Sequence, residues 1–304
     1  MCNNSESHVL LSESDADKRA VSELENQLRS QSGIRAELTR AKLEELKTQI
    51  KAESKMKKSL ERSRKSFTKN LKRMTKDNDP RLLLSLNNDD LEQLSLNFGY
   101  ADSVEEFIEQ SDNISKAAQA TASIVEPNRT LTQMELDIID TAKRAATESI
   151  FNFLILPKIN KGVREALIAM TLDTPVNQAM SSLAQSLEQA QGRQLTEINT
   201  QISMFGRTVT ATIAEGAGLK YFLYTGPQDG LTRKFCSPLV NKVISEKQMN
   251  NLDNGQGLSV KTAGGGYNCR HSWSPVTDGF IKAANLSKAT SKDIQDANKG
   301  GRRK

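Results

Sequence analysis

Cys236, Cys269 and His271 are the residues whose types most readily suggest chemistry. Two thiolates and one imidazole are soft and borderline donors of the kind that hold Zn²⁺. Cys269 and His271 stand two positions apart in Cys-Arg-His, and Cys236 lies 33 residues upstream of Cys269. A tetrahedral site needs a fourth ligand, for which Asp229 is the nearest candidate and water the alternative. No Cys-X-X-Cys partner accompanies them, so a plain packing role has the stronger claim. In that reading Cys236 and Cys269 are small buried residues and His271 is a hydrogen-bonded core histidine beside Trp273.

Other chemistries are less well supplied. Cys236 as nucleophile, His271 as base and Asp229 as its orienter have the right residue types, but no oxyanion element or protease signature goes with them. A carboxylate pair of the Glu-X-Glu type is missing from residues 206–304, where Glu215 and Glu246 stand isolated; this disfavours ADP-ribosyl transfer. A His-Asn nuclease built on Asn268 and His271 lacks a second histidine and a metal-binding pair. The expectation is a protein that is not an enzyme.

The elements that must position these residues follow from composition and pattern. Of 304 residues, 37% are hydrophobic and 5% aromatic, which favours long solvated helices around modest cores over one large globule. No apolar run is long enough to suggest a membrane span. The first residues lack the pattern of a secretory signal, so synthesis inside the cell and reduced cysteines are expected. The net charge is +5, yet Lys51–Lys76 alone holds eleven Lys or Arg against two Glu. That segment, with Lys55, Lys57, Lys58, Arg62, Arg64, Lys65, Lys69, Lys72, Arg73 and Lys76, is a candidate for phosphate neutralisation on DNA. A solvated helix face, or one that pairs with an acidic partner, is the alternative.

The pattern predicts a mainly α protein of long helices with a small α+β module near its C-terminus. Residues 1–20 read as a disordered tail and 20–80 as a basic helical arm with a break at Gly33. Leu43, Leu46, Ile50, Leu60, Phe67, Leu71 and Met74 give the arm an apolar stripe, interrupted near Glu53 and Lys57, that suits another helix of the same chain or of a partner. Residues 81–216 read as a helical domain. Its first part, to 127, is short helices and loops with caps at Asn or Asp in "NNDDLEQL" and at Asp102 or Ser103. Thr130 or Thr132 caps the next helix. "IFNFLILPKI" belongs in the core, with Pro157 ending or kinking a helix. A long helix runs from about Val176 to Ile213 through Gly192 and Gly206. Residues 217–278 form the module, with "LKYFLYTG" as a strand, "SEKQMNNL" as a short helix, "DNGQG" as a turn and "LSVKTA" as a second strand. Residues 279–304 read as a basic flexible tail. A module of this size gains from an internal cross-link.

The strings "YTGPQDGLTRKFC", "LDNGQGL" and "GGGYNCRHSWSPV", in this order, resemble the C-terminal domain of the Mu-type phage minor head protein family, associated with head morphogenesis. The resemblance covers roughly 60 residues and falls on Asp229, Thr232, Arg233, Cys236, Asn254, Gly255, Gly265, Gly266, Asn268, Cys269, Arg270, His271 and Trp273. It implies a virion component found in the phage head, and in the host cytoplasm during assembly. Its implied partners are portal and capsid proteins, with packaged DNA as a further contact. On this view the rare residues hold a module together. The competing class is a nucleic-acid-binding protein with a zinc-stabilised module.

Overall fold

The computed structural model describes residues 13–302. Long helices that share one hydrophobic core make the body, and a three-stranded sheet with four shorter helices follows them near the C-terminus. Residues Glu13–Arg29 form α1 and Gly33–Asp77 form α2. The break between them falls at Gly33, whose φ of +59° suits glycine. The expected disordered tail therefore gives way to helix from Glu13 onward; residues 1–12 lie outside the described residues. After α2 come α3 (Pro80–Leu84), α4 (Asn88–Ser95), α5 (Ala101–Ser123), α6 (Gln133–Glu148), α7 (Leu156–Thr171) and α8 (Val176–Gly216).

The basic segment is no separate arm. Its apolar stripe is the seam of the bundle: Leu60, Phe67 and Leu71 are buried with Phe107 and Ile114 of α5 and Ile198 and Ile202 of α8. The apparent interruption near Glu53 and Lys57 is bridged by buried Ala52, Met56, Ser59 and Ser63. Small residues let α5 approach closely there, and Ser103 hydrogen-bonds Ser59 at 3.1 Å and Ser63 at 2.7 Å. Leu43 and Leu46 pack against Ala20 and Leu24 of α1. The stripe is thus covered within the chain, which leaves it unavailable for pairing with a second copy.

Residues 101–123 form one long helix where short pieces were expected. Asp102 and Ser103 lie inside its first turn and do not cap it. The chain turns into this helix at Gly99 (φ +132°), where a Cβ would lie 2.9 Å from Ser66 Cβ. Asn87 and Thr132 do cap α4 and α6, each with a reciprocal bond from the third residue of the helix. Pro157 sits in the first turn of α7 after a widened, π-type turn over Ser149–Ile155. There its missing N–H costs little. Ile150, Phe151, Ile155 and Leu156 are buried as expected, but Phe153 is 80% exposed. In α8, Gly206 is a close-packing site, since a Cβ would lie 3.0 Å from Ile114 Cγ2, whereas Gly192 faces open space.

The sheet has the order β2-β1-β3, all antiparallel, from β1 (Tyr221–Thr225), β2 (Val243–Ser245) and β3 (Ser272–Val276). Alternation along β1 sends Phe222 and Tyr224 to a core shared with Ala214 of α8. Leu223 faces the other way, with Val276 and with Leu38 of α2. Both faces of the sheet therefore pack against helices of the bundle. Two expectations fail here. "LSVKTA" holds the short helix α10 (Val260–Ala263) and no strand, because β3 takes the place beside β1 that a second strand would need. Residues 279–304 are not a loose tail through the described part: α11 (Asp278–Ala283) and α12 (Ser291–Gly301) follow, with Phe280, Ile281, Ile294 and Ala297 buried. The module therefore runs to Gly301. Its remaining helix is α9 (Glu246–Met249), capped by Ser245.

Candidate metal centre

The fold brings Cys236, Cys269 and His271 together. Their ligand atoms all lie within 4.8 Å of one another, and all three residues are buried. Cys236 comes from the turn after β1, which follows Arg233 in tight helical turns. Cys269 and His271 come from the segment entering β3. The sulfurs are 3.9 Å apart, and Cys269 Sγ is 3.8 Å from His271 Nδ1. Such a group could hold a metal ion.

Its surroundings fix each donor. His271 Nε2 lies 2.8 Å from the carbonyl of Pro227. A carbonyl only accepts, so Nε2 carries a proton and it is Nδ1 that faces Cys269 Sγ, with a lone pair to offer in the neutral ring. The Gly265 N–H donates to Cys269 Sγ at 3.1 Å. Tyr224 Oη lies 3.4 Å from Cys236 Sγ and 3.6 Å from Cys269 Sγ. The Tyr224 ring packs against Trp273 and stacks on His271, with centroids 4.2 and 5.2 Å away. Burial pushes the Tyr224 hydroxyl well above its ordinary pKa. The two thiols divide unequally: the contact with Cys236 holds Cys269 low, and the same contact together with burial pushes Cys236 up.

Asp229, the candidate fourth ligand, is elsewhere. Arg270 grips both of its oxygens, at 2.7 and 2.8 Å, while Leu231 N–H and Thr232 Oγ1 donate to the same carboxylate. Burial works to raise its pKa, but Arg270 outweighs that and leaves the carboxyl below its usual range. A guanidinium fork binds a carboxylate more favourably than a lone aspartate would bind beside two thiolates. Asp229 is also not the orienter of His271, a place taken by the Pro227 carbonyl.

The other motif residues brace this cluster. Thr232 Oγ1 also lies 3.0 Å from Pro227 O, so its one proton is shared between that carbonyl and the carboxylate. Arg233 donates to the carbonyls of Gly265, at 2.6 Å, and Tyr267. Asn254 donates to Leu258 O and Gly264 O and accepts from Gln256 N–H. Gly255 (φ +69°) turns the chain where a Cβ would strike the Gly301 carbonyl. Gly265 must lack a side chain, because a Cβ there would lie 2.4 Å from Cys236 Sγ. Gly266 and Asn268 both have positive φ, and Asn268 N–H donates to Thr200 Oγ1 of α8 at 3.1 Å. Trp273 Nε1 donates to Val260 O at 2.9 Å.

Two residues of the site were not singled out from the sequence. Tyr224 stands in the strand and at the head of "YTGPQDGLTRKFC", but neither gives it a role. Arg207, 4% exposed on α8, donates to His271 O through Nε and Nη2 at 2.9 and 2.8 Å, to Cys269 O at 2.5 Å and to Thr262 O at 3.2 Å. Its signal in retrospect is a lone arginine within "MFGRTVTATIA", where a charge must find buried partners.

The basic residues of α2 divide into two sets. Lys55 is tied to Glu106 and Glu109 of α5 at 3.5 and 3.2 Å, and Arg64 lies 3.7 Å from Glu188 of α8. Both are engaged by carboxylates and leave the candidate DNA contact. Lys57 lines a groove of about 480 Å³ between α1, α2 and α8. Lys58, Arg62, Lys65, Lys69, Arg73 and Lys76 are exposed, and Lys72 is half-buried. At helical pitch these seven fall within an arc of roughly 100° and extend over about 27 Å. They lie opposite Met56, Leu60, Phe67 and Leu71. Among the described residues, no helix is long and apolar enough to cross a membrane. Compared with models of protein families, with curated proteins and with solved structures, the chain matches none.

Proposed function

We propose that this chain is a non-enzymatic minor head protein of a tailed phage, acting in head assembly beside the portal and inner capsid. The resemblance of the motif to the Mu-type minor head family is the starting point. The observation that supports it most is how the motif residues are used. Asp229, Arg233, Asn254 and Arg270 turn their polar groups inward onto the chain's own backbone and onto each other. A small unit locked in this way suits docking into a larger particle. The exposed row from Lys58 to Lys76 is suited to the phosphate backbone of packaged DNA. Its face carries cations without aromatic or large apolar anchors, so contact would be independent of sequence and sensitive to salt.

The test is quantitative mass spectrometry of purified virions and of assembly intermediates from the phage that encodes the chain. A constant copy number per particle is expected. Absence from both virions and intermediates overturns the reading. The alternative, a nucleic-acid-binding protein with a zinc-stabilised module, is favoured by the same basic row together with the Cys-Cys-His cluster. It predicts binding to DNA by the isolated protein and no incorporation into particles.

A further inference from the structure

We propose that Cys236 Sγ, Cys269 Sγ and His271 Nδ1 bind one Zn²⁺, with Tyr224 Oη at the fourth corner, as a closed structural site that fastens the module to α8. The proposal stands independently of any role in a phage head.

Geometry carries the first part. With Zn–S near 2.3 Å and Zn–N near 2.0–2.1 Å, tetrahedral edges are about 3.8 Å between sulfurs and about 3.6 Å between sulfur and nitrogen. The observed separations are 3.9 Å between the sulfurs and 3.8 Å from Cys269 Sγ to His271 Nδ1, and all three donors lie within 4.8 Å of one another. Tyr224 Oη, at 3.4 and 3.6 Å from the two sulfurs, matches the sulfur–oxygen edges of about 3.5 Å that a fourth donor would make. The surrounding bonds fit a metal as well. The imidazole is held in the tautomer that offers Nδ1, by a carbonyl on the far nitrogen. An amide N–H reaches Cys269 Sγ, as it would a bound thiolate.

Charge and donor type decide the metal class. Two thiolates, a neutral imidazole and a neutral phenol give a site of zero net charge with a divalent ion, which limits the cost of burying it. Both sulfurs bind as thiolates, so binding releases whatever protons they carry in the free chain. Soft and borderline donors without a carboxylate disfavour Mg²⁺ and Ca²⁺, and a tetrahedral arrangement of this kind suits zinc. Four protein donors leave no open position, which distinguishes a structural site from a catalytic one.

The location gives the ion its role. Its donors come from β1, the turn after it, and the strand entry after α10. The carbonyls of Cys269 and His271, on either side of Arg270, are the ones that Arg207 of α8 grips. Fixing the side chains of Cys269 and His271 also fixes those carbonyls, and so the seam between sheet and bundle.

The experiment uses the full chain purified under reducing conditions without chelator. Metal analysis should give one zinc per chain. Replacement by Co²⁺ should give the near-ultraviolet thiolate charge-transfer band and the visible bands of a tetrahedral ion. Cys236→Ser, Cys269→Ser and His271→Ala should each weaken zinc binding at least tenfold, with the far-ultraviolet helical signal retained. Because these variants can lose the module's fold, the wild-type chain is also stripped of metal and titrated. One equivalent of Zn²⁺ should restore Trp273 fluorescence and raise the melting temperature. The site is overturned if the reduced chain binds no zinc on reconstitution, if zinc persists in the double Cys236→Ser/Cys269→Ser variant, or if the purified chain holds a Cys236–Cys269 disulfide in place of the ion. Tyr224→Phe should shift the Co²⁺ spectrum and weaken binding; an unchanged spectrum and affinity overturn the fourth ligand.

Discussion

Replacing Arg207 with methionine is expected to loosen the C-terminal module while leaving most of the helical bundle intact. Methionine keeps much of the stem's volume and removes the guanidinium. Three carbonyls, of Thr262, Cys269 and His271, then lose their charged donor in a buried seam. Hydrogen bonds to charged groups contribute about 1.5–3 kcal/mol each, but their sum is an upper bound, because the guanidinium regains hydration in the unfolded chain. Leaving a buried acceptor unsatisfied costs about 1–3 kcal/mol, and with three carbonyls affected the expected loss is about 3–5 kcal/mol. The chain has one tryptophan, and it lies in the module. Its fluorescence follows the module in urea, while far-ultraviolet dichroism is dominated by the bundle. At a slope of about 2 kcal/mol/M the fluorescence midpoint should fall by about 2 M. Arg207→Lys, which keeps the charge but loses the planar fork, should fall by roughly half as much. A fluorescence midpoint for Arg207→Met that falls by less than about 0.25 M, which at that slope is the ~0.5 kcal/mol of an ordinary surface change, would refute the assignment of Arg207 as the seam's anchor.

Gly265→Ala should displace Cys236, since the new methyl would lie 2.4 Å from its sulfur; a destabilisation of about 1–3 kcal/mol, read by the same fluorescence titration, should accompany lost zinc content. Phe67→Ala, in the bundle seam against Tyr100 and Phe98, should cost about 3–5 kcal/mol and move the dichroism midpoint. Asp293 is held down to about 2 by the hydrogen bond from Lys242 and the Thr290 N–H. A depressed carboxyl stabilises the fold above its unfolded value of about 3.9 and loses that contribution as pH falls toward 2; acid titration of Asp293→Asn should show a flatter stability curve between pH 4 and 2. Reversing Lys58, Arg62, Lys65 and Lys69 to Glu should abolish retention of duplex DNA in a mobility-shift assay at low salt, whereas reversing Lys55 should first disturb its pairing with Glu106 and Glu109.

Periodicity and local turn chemistry made much of the architecture legible in the sequence. Leu60, Phe67 and Leu71 recur at helical spacing, and the core in which they lie follows from that spacing. Caps were legible to within a residue or two, as an Asn or Asp of "NNDDLEQL" and as Thr130 or Thr132, because capping is a contact within one helical turn; Asn87 and Thr132 are the ones used. The strand Tyr221–Thr225 and the end of α8 were also readable. Cys236, Cys269 and His271 were grouped by donor type alone, and the fold brings them together. What the sequence could not supply were relations across the chain. Asp229 looked like a fourth ligand until Arg270, folded against it from 41 residues away, took the carboxylate. "LSVKTA" had the composition of a strand, but the place beside β1 went to β3. Residues 279–301 looked unstructured because their few apolar side chains, Phe280, Ile281, Ile294 and Ala297, bury only when the sheet is present to receive them. The basic stretch of α2 read as an arm because charge is visible in a sequence, whereas the partners of its opposite face are not. Local hydrogen bonding and periodicity are properties of neighbouring residues. Which buried polar group meets which is set only when distant segments close into one core, and so Arg207 and Tyr224 entered the site from the tertiary structure alone.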